Sequence, residues 1–453
     1  MISVLFTIGS FIVAISILIA FHEFGHYWVA KRLGVKVLRF SIGFGKPIWR
    51  KTAGPDKTEY VIAALPLGGY VKMLDEREGE VAEEEKHRAF NRQKIWKRFA
   101  IVFAGPAFNI LLAILAYLLV SLIGTSGLKP VVGLVVPNSP AATAGLQSGM
   151  QIVSVDGWRT PTWDAVFQEA LPSLVEKSEL RVKAKFKDGL EHSYALDLSG
   201  LNLDRDIQQP FKAIGIHLFH LPPVVGTVAK DMPAAKAGLK PGDTITQIDG
   251  HPIMDWMDIS DYVVERPNQD IEVVVKRKHA TLSFKFRTFA KKVQGRTIGL
   301  LGISRDTSSP KITDSDRAVF RLGLIDGIKY SVHRTWNVAY VTLRVLGLIA
   351  STKMSLTNIS GPINIAVTAG ESASLGLGRY IIFLALVSIS LGILNLLPIP
   401  ILDGGHLMYY VYEFFSGKPV SEKVEIIGQR IGIALLMMLM ALAFYNDIMR
   451  YLH

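Results

Sequence analysis

Four long apolar stretches constrain the fold of this chain more than any other feature. They cover residues 4–30, 99–124, 380–401 and 431–445 of a 453-residue sequence that is 49% hydrophobic and only 20% charged. A helix of about 20 predominantly apolar residues crosses the hydrocarbon core of a bilayer, with its backbone polar groups paired internally. We therefore predict a polytopic α-helical membrane protein with four transmembrane helices.

The first stretch has an alternative interpretation as a cleaved signal peptide. A signal peptide begins with a basic segment and ends at a small-residue cleavage site. The residues before this stretch, Met1, Ile2 and Ser3, carry no charged side chain, and no small-x-small site follows it. We therefore interpret the stretch as a membrane span.

Basic residues are concentrated between the first and second stretches. Residues 31–98 contain 16 lysines and arginines and 9 acidic residues, an excess that accounts for most of the net charge of +11. The positive-inside rule predicts that such a loop is cytoplasmic. The segment from about 125 to 379 is then extracytoplasmic, and the basic composition requires no nucleic-acid partner.

The extracytoplasmic segment contains an internal repeat. The sequence that begins at Val131 matches the sequence that begins at Val224, and the match continues without a gap to Asp156 and Asp249. A match of this length indicates a duplicated module. Strand patterns, a short helix and Asp-Gly turns follow in the same order in both copies, which predicts an α+β fold for each.

The two copies resemble PDZ domains of the circularly permuted bacterial type. The second copy has the full Gly-Leu-x-x-Gly-Asp signature at residues 238–243, whereas the first has Met150 at the position of the Asp. PDZ domains bind extended peptides by strand addition, so the resemblance implies contact with the substrate or with a peptide. The alternative is a pair of spacer domains that only restrict access.

These patterns predict the domain boundaries. A fifth apolar region, residues 325–350, is interrupted by charged residues and is interpreted as an amphipathic helix against the membrane or the other helices. The predicted segments are residues 1–124 with the first two spans, 127–220 and 221–310 with the PDZ-like modules, 311–378 with the amphipathic or linker helices, and 379–453 with the last two spans.

The end of the first span carries a His-Glu-x-x-His pattern, formed by His22, Glu23 and His26. Ionisable residues at membrane depth are costly, so three of them within five residues indicate a functional site. The two histidines lie about one helical turn apart and can reach one metal ion. Glu23 can act as a general base on water that zinc activates. A histidine pair that binds zinc only for structure or transport is the alternative.

A third metal ligand is needed, and the sequence contains no cysteine to supply it. Asp403 follows the third span at the same predicted membrane depth, after Pro398 and Pro400, which cannot continue a helix. His406 is a competing ligand, and Asp403 could also be an ordinary carboxylate of a surface loop. Spacing alone does not decide between these interpretations.

The paired motifs resemble those of the site-2 protease family. His22, Glu23 and His26 are followed far downstream by Asn395-x-x-Pro398-x-Pro400-x-x-Asp403-Gly404, with four spans and two PDZ-like modules. The resemblance implies one zinc ion held by His22, His26 and Asp403, with Glu23 as catalytic base. It also implies substrate binding by Asn395 and the neighbouring Pro398 and Pro400.

The resemblance extends to two other segments. Gly105, Pro106 and Asn109 in the second span resemble the family's Gly-Pro-x-x-Asn motif, for which a packing kink is an equal interpretation. The Gly-rich apolar sequence at about 36–73 resembles a membrane-associated β-hairpin. We expect this hairpin to hold an unwound substrate strand by edge pairing.

The resemblance implies an intramembrane zinc endopeptidase in a bacterial inner membrane, with periplasmic PDZ modules and an active site near the cytoplasmic side. Its expected substrates are single-span membrane proteins, such as a pre-trimmed anti-sigma factor, and signal-peptide remnants. A membrane-anchored PDZ scaffold with a structural zinc site is the alternative. A zinc transporter is less consistent with the few polar residues on the other spans.

Overall fold

The computed structural model describes residues 4–186, 189–202, 209–293, 296–306 and 314–452. They form two compact units. The membrane unit contains Met1–Thr125 and Phe320–Ile448, and the module unit contains Ser126–Val319 and Met449–His453. The predicted boundary between residues 310 and 311 lies outside the described residues.

The chain begins with a membrane helix, α1 (Val4–Arg32). Two long strands follow, β1 (Val37–Ala53) and β2 (Thr58–Met73), and then the second membrane helix, α2 (Ile95–Ile123). The two helices pack against each other, and α1 also packs against β2. This arrangement brings the His-Glu-x-x-His turn of α1 beside both α2 and the hairpin.

The β-hairpin folds back on itself into a small antiparallel sheet. Residues 37–42 of β1 pair with 59–62 of β2 on one side and with 69–73 on the other, while residues 49–53 pair with the far side of 58–62. Residues 69–73 therefore form one edge of the sheet. Glycines with positive φ angles lie between 42 and 49, where β1 must bend.

The first copy of the repeat forms two small sheets around one apolar core. In chain order the elements are β3 (Thr125–Leu128), β4 (Leu134–Val135), α3 (Pro140–Thr143), β5 (Gln151–Val155), β6 (Trp158–Arg159), α4 (Trp163–Glu176), β7 (Glu179–Lys185), β8 (Glu191–Asp197), α5 (Pro210–Ala213) and β9 (Ile216–His217). The four-stranded sheet has the order β6-β5-β7-β8, and β4 pairs with β9.

The second copy has the same plan with one additional hairpin. Its elements are β10 (Val225–Val228), α6 (Pro233–Ala237), β11 (Thr244–Ile248), β12 (His251–Pro252), α7 (Trp256–Val264), β13 (Asp270–Arg277), β14 (Ala280–Arg287), β15 (Phe289–Val293), β16 (Arg296–Leu300) and β17 (Ile303–Arg305). Its four-stranded sheet has the order β12-β11-β13-β14, β10 pairs with β17, and β15 pairs with β16.

The two copies stabilise one equivalent turn by different means. In the second copy, Arg277 donates two hydrogen bonds to the carboxylate of Asp243, at 2.6 and 2.7 Å. The same carboxylate accepts a hydrogen bond from the Lys240 amide at 2.8 Å. In the first copy the Met150 sulfur accepts the equivalent amide hydrogen bond, from Gln147 at 3.4 Å. A charged cluster and a thioether therefore occupy the same place in one fold.

After strand β18 (Arg317–Phe320), which pairs with β3, the chain returns to the membrane unit. The remaining helices are α8 (Leu324–Ala350), α9 (Pro362–Ser374), α10 (Leu377–Leu396), α11 (Asp403–Ser416) and α12 (Glu422–Leu452). Four helices among the described residues are long and apolar enough to cross a membrane: α1, α2, α10 and most of α12. The prediction of four spans is confirmed.

Two of the predicted spans have different ends in the structure. The third ends at Leu396 rather than at residue 401, because Pro398 cannot donate to the helix and disfavours helical backbone in Leu397. The fourth helix begins at Glu422, well before the predicted residue 431. Its first turns carry charged residues, which a helix tolerates where it leaves the hydrocarbon core.

The predicted amphipathic region forms helix α8, which packs against α2. Its buried side chains include Ser331, Arg334 and Thr335, whereas Ile325 and Trp336 are exposed. An apolar exposed face opposite a polar buried face is the reverse of the pattern found in helices of water-soluble proteins. This pattern agrees with a helix whose outer face contacts lipid.

The last helix caps α9 near its own C-terminal end. The Asp447 carboxylate accepts hydrogen bonds from the backbone amides of Gly361 and Asn364, at 2.8 and 3.0 Å. Asn446 donates to the carbonyl oxygen of Leu356 at 2.8 Å. These contacts satisfy free amides at the start of α9 and fix this end of α12.

Candidate metal centre

The two histidines of the first span lie side by side on α1. Their Nε2 atoms are 3.3 Å apart, and each Nδ1 contacts a group of α2. His26 Nδ1 lies 2.8 Å from the carbonyl oxygen of Ile101, and His22 Nδ1 lies 3.2 Å from the side-chain amide of Asn109. Helix α2 therefore orients both imidazoles with Nε2 on the same side.

Asp403 joins this pair from the other end of the chain. Helix α10 ends at Leu396, a turn follows, and α11 begins at Asp403. The Asp403 Oδ2 atom lies 3.2 Å from His22 Nε2 and 3.6 Å from His26 Nε2. Buried carboxylate oxygens normally accept a hydrogen bond, yet this atom is buried without one.

The three ligand atoms fit a zinc ion. Zinc bonds of about 2.0–2.1 Å in tetrahedral geometry separate the ligand atoms by about 3.3 Å, close to the distances seen here. The donor set of two imidazoles and one carboxylate is that of a catalytic zinc site with one open position. His406 is not among the described groups whose ligand atoms converge on this point.

Glycines allow the helices to approach closely enough to form the centre. A Cβ atom on Gly105 of α2 would overlap the rings of His22 and His26. On the opposite side, a Cβ on Gly404 would overlap the backbone carbonyls of Leu396 and Leu397. A side chain at position 105 would displace the two histidines, and one at position 404 would push the start of α11, with Asp403, away from the end of α10.

A cavity of about 450 Å³ opens onto the centre. Glu23, His22, His26 and Asp403 line it, together with residues of the sheet edge 69–73. Gly69 is close enough to α1 that an added Cβ would lie 3.0 Å from Glu23 Cγ. The Glu23 carboxylate, the three candidate ligands and a strand edge thus face one cavity.

Comparison with known proteins identifies the family. The model of peptidase family M50 matches residues 10–439. This chain belongs to peptidase family M50. The regulator of sigma-E protease RseP of Escherichia coli is 42% identical over 457 residues, which cover 99% of this chain and 100% of the relative.

Two further relatives have similar coverage. The regulator of sigma E protease of Salmonella typhimurium is 41% identical, and a Vibrio cholerae protein named as a zinc metalloprotease is 40% identical, each over 99% of this chain and the whole relative. Among solved structures, the PDZ domain of an SdrC-like protein of Listeria monocytogenes is 24% identical over 19% of this chain, with a TM-score of 0.17. That TM-score is too low for a fold assignment.

The chain is therefore a zinc metalloprotease of the membrane. Membership in a peptidase family disfavours the alternatives of a PDZ scaffold and of a zinc transporter. The resemblance to site-2 proteases, stated from the sequence motifs, is confirmed at the level of the family.

The structure distributes the remaining predicted site residues of this M50 peptidase over two regions. Asn395 lies in the last turn of α10, and Pro398 follows in the turn after it. Neither residue lines the described cavity. Pro400 packs against Gly428 and Gly432 of α12, while His406 lies one turn beyond Asp403 and does line the cavity. Substrate binding by Asn395, Pro398 and Pro400 stays a prediction.

The sequence left the role of Asn109 in this M50 peptidase open. A packing kink and a part at the site were equal interpretations of the Gly-Pro-x-x-Asn motif, and the structure brings the Asn109 amide to His22. A signal was present, because an amide in the middle of an apolar span needs a polar partner. Nothing in the sequence indicated which partner it would meet.

Proposed function

We propose that this chain cleaves single-span membrane proteins within the membrane, with zinc held by His22, His26 and Asp403 and with Glu23 as the catalytic base. The observation that carries the proposal is the convergence of three ligand atoms, two from α1 and one from the start of α11. Glu23 is next to a ligand and faces the same cavity, as a base must if it is to take a proton from water.

Zinc supplies Lewis acidity, which makes water nucleophilic near neutral pH and polarises a carbonyl group. The chain's own residues prepare the ligands. A carbonyl oxygen can only accept, so His26 donates from Nδ1 to Ile101 and leaves Nε2 free for the metal. Glu23 takes the proton from water and later delivers it to the amine of the leaving peptide.

His22 needs the same tautomer as His26, with the proton on Nδ1, if its Nε2 is to bind the metal. Its Nδ1 must then donate to Asn109, which demands the amide oxygen at that position rather than nitrogen. The assigned Oδ1 is buried without a partner, and rotating the amide by 180° gives it this donor. The orientation of an Asn side-chain amide is inferred from its hydrogen bonds, because the nitrogen and oxygen ends of the group are nearly the same size. We therefore assign Asn109 as an outer-shell acceptor for His22.

A substrate helix must unwind before its peptide bonds can react, because its backbone groups are paired internally. Residues 69–73 offer a partner for the released strand, since they pair on one side only and border the cavity. Val61 and Ile62 of the same hairpin already pair on both sides. We propose that the substrate adds as a strand beside 69–73, with Asn395 as a further contact.

The proposed substrate is an anti-sigma factor already trimmed on its external side, with signal-peptide remnants as further candidates. The names of the relatives, which refer to sigma-E regulation, support this class. The positive-inside argument supports a bacterial inner membrane with periplasmic modules and a reaction centre near the cytoplasmic face. The modules, interpreted as tandem PDZ domains, contact the substrate or exclude bulky external domains.

The deciding experiment is Glu23→Gln in a reconstituted cleavage assay with zinc analysis. We expect cleavage to be lost while zinc binding is retained, because the base is removed without a ligand. Asp403→Ala is the matched comparison and should lose both. Full cleavage by Glu23→Gln would contradict the assignment of Glu23 as base.

A second experiment tests the role of the modules. Deletion of residues 127–310 should permit cleavage of an untrimmed substrate that the full chain rejects. If selectivity is unchanged after the deletion, the modules do not exclude bulky substrates.

A further inference from the structure

The turn that leads into Asp403 is enclosed by glycines from two helices. On one side, a Cβ atom on Gly405 of α11 would lie 2.5 Å from Pro400 Cα. On the other side, a Cβ on Gly428 would lie 3.4 Å from Pro400 Cβ, and one on Gly432 would lie 3.3 Å from the amide nitrogen of Ile401. The turn therefore lies against the backbone of α11, and only small side chains at positions 428 and 432 of α12 leave space for it.

The two glycines of α12 act as one surface. Gly428 and Gly432 are four residues apart and so lie on one face of the helix, one turn apart. In membrane helices, small residues at this spacing allow a close approach of neighbouring backbone. Here the backbone that approaches is the turn between α10 and α11, rather than another helix.

Backbone hydrogen bonds connect this turn to the segment that carries Asp403. The amide of Leu402 donates to the carbonyl oxygen of Ile399 at 2.9 Å, and the amide of Gly405 donates to Leu402 at 3.0 Å. Asp403 lies between these two donors, three residues after Pro400. A displacement of Pro400 would therefore change the direction of the Asp403 side chain.

We propose that Gly428 and Gly432 are positioning residues for Asp403: they hold the Pro400 turn so that the carboxylate meets His22 and His26. This inference rests on the proposed ligation of zinc by Asp403. It assigns the fourth membrane helix, which supplies none of the three convergent ligand atoms, a direct influence on zinc affinity.

Tyr409 provides a specific test of the role of Gly428. A Cβ on Gly428 would overlap the hydroxyl group of Tyr409, which belongs to α11. Gly428→Ala should therefore displace the Tyr409 side chain from its present position between α11 and α12. Tyr409→Phe removes the overlapping atom and provides a test of that route.

The experiment measures zinc affinity of the full-length protein in detergent, by competition with a chelator of known affinity. Gly428→Ala is compared with its parent both in the Tyr409 background and in the Tyr409→Phe background. We expect a loss of about tenfold or more in the first background, as for other changes to ligand support, and no loss in the second. Gly9→Ala is the control, because a Cβ at this membrane-helix position meets no neighbouring atom.

Gly432→Leu provides an independent variant. Its side chain would meet Pro400 and Ile401 directly, so Tyr409→Phe should not restore its zinc affinity. Unchanged affinity in both Gly428→Ala and Gly432→Leu would overturn the proposal, as would a Gly428→Ala defect that Tyr409→Phe leaves intact. Asp403→Ala separates this outcome from the proposed function, because it tests zinc ligation without involving α12.

Discussion

Arg98 donates a hydrogen bond to Glu413 at 2.6 Å and thereby joins the first turn of α2 to α11. Both side chains are largely buried, at 14% and 15% exposure, and the guanidinium also lies 5.0 Å from the Tyr410 ring centre. The two helices that this pair connects carry Asn109 and Asp403. The ion pair therefore connects the helix that contacts both histidines to the helix that carries Asp403.

The first prediction concerns this ion pair. Glu413→Gln should lower the free energy of unfolding by about 1.5–3 kcal/mol, the contribution of a hydrogen bond to a charged group, because Arg98 keeps its charge without a carboxylate. Zinc affinity should fall as well. Thermal unfolding of the detergent-solubilised protein and zinc titration measure both effects, and Arg98→Met with Glu413→Leu should recover part of the loss.

The second prediction concerns Asn109. Asn109→Asp retains an acceptor for His22 Nδ1, whereas Asn109→Leu removes it at similar size. We expect Asn109→Leu to weaken zinc binding by about 10- to 100-fold, and Asn109→Asp to retain most of the affinity. Equal zinc affinities in the two variants would show that the amide does not act as an acceptor.

The third prediction concerns the strand edge at 69–73. Successive amides of a strand point to opposite edges, so of Val71→Pro and Lys72→Pro only one removes an outward N–H group. That variant should reduce cleavage of a membrane substrate while zinc content is unchanged. The other should disturb pairing with residues 37–42. If neither variant alters cleavage, the substrate does not pair with this edge.

The fourth prediction concerns the second module. Burial alone would raise the pKa of Asp243, but hydrogen bonds from Arg277 and the Lys240 amide outweigh burial and hold this pKa below its usual range. The stabilisation is therefore complete above the unfolded-state pKa of about 3.9 and is lost as pH falls through the lower folded-state value. Asp243→Asn should destabilise the module by about 2 kcal/mol at neutral pH.

Pulse proteolysis of the full-length protein tests this prediction. With pepsin between about pH 2 and pH 5, the difference between the parent and Asp243→Asn should shrink as the pH falls. Asp270→Asn is a comparison in the same sheet: Arg287 lowers the pKa of Asp270 as well, but this pair is exposed, so solvent screening should make its pH-dependent difference much smaller. A constant difference across this range would contradict a depressed pKa for Asp243.

The amino-acid sequence predicts the features that depend on periodicity and spacing. Apolar length identified all four spans, and the repeat identified two modules with the same order of elements. The expected meeting of His22, His26 and Asp403 is present in the structure, because both segments lie at corresponding ends of helices with the same predicted direction. These are properties of single elements or of their orientation.

The features that sequence reasoning missed depend on contacts between distant elements. The folding of the hairpin on itself, which makes 69–73 the edge, arises from pairing of one strand with two others. The enclosure of Pro400 by Gly405, Gly428 and Gly432 requires three segments at once. A periodic pattern in one segment carries no information about such partners.

The separation of the proposed metal ligands along the chain has a consequence during synthesis. His22 and His26 leave the ribosome early, whereas Asp403 is added 381 residues after His22. At bacterial elongation rates of about 5–20 residues per second, roughly 20–80 s pass between these events. The growing chain has no complete metal centre during that time, so a partly inserted protein cannot cut its neighbours. Hydrolysis becomes available only after the third span and α11 have joined the first two spans.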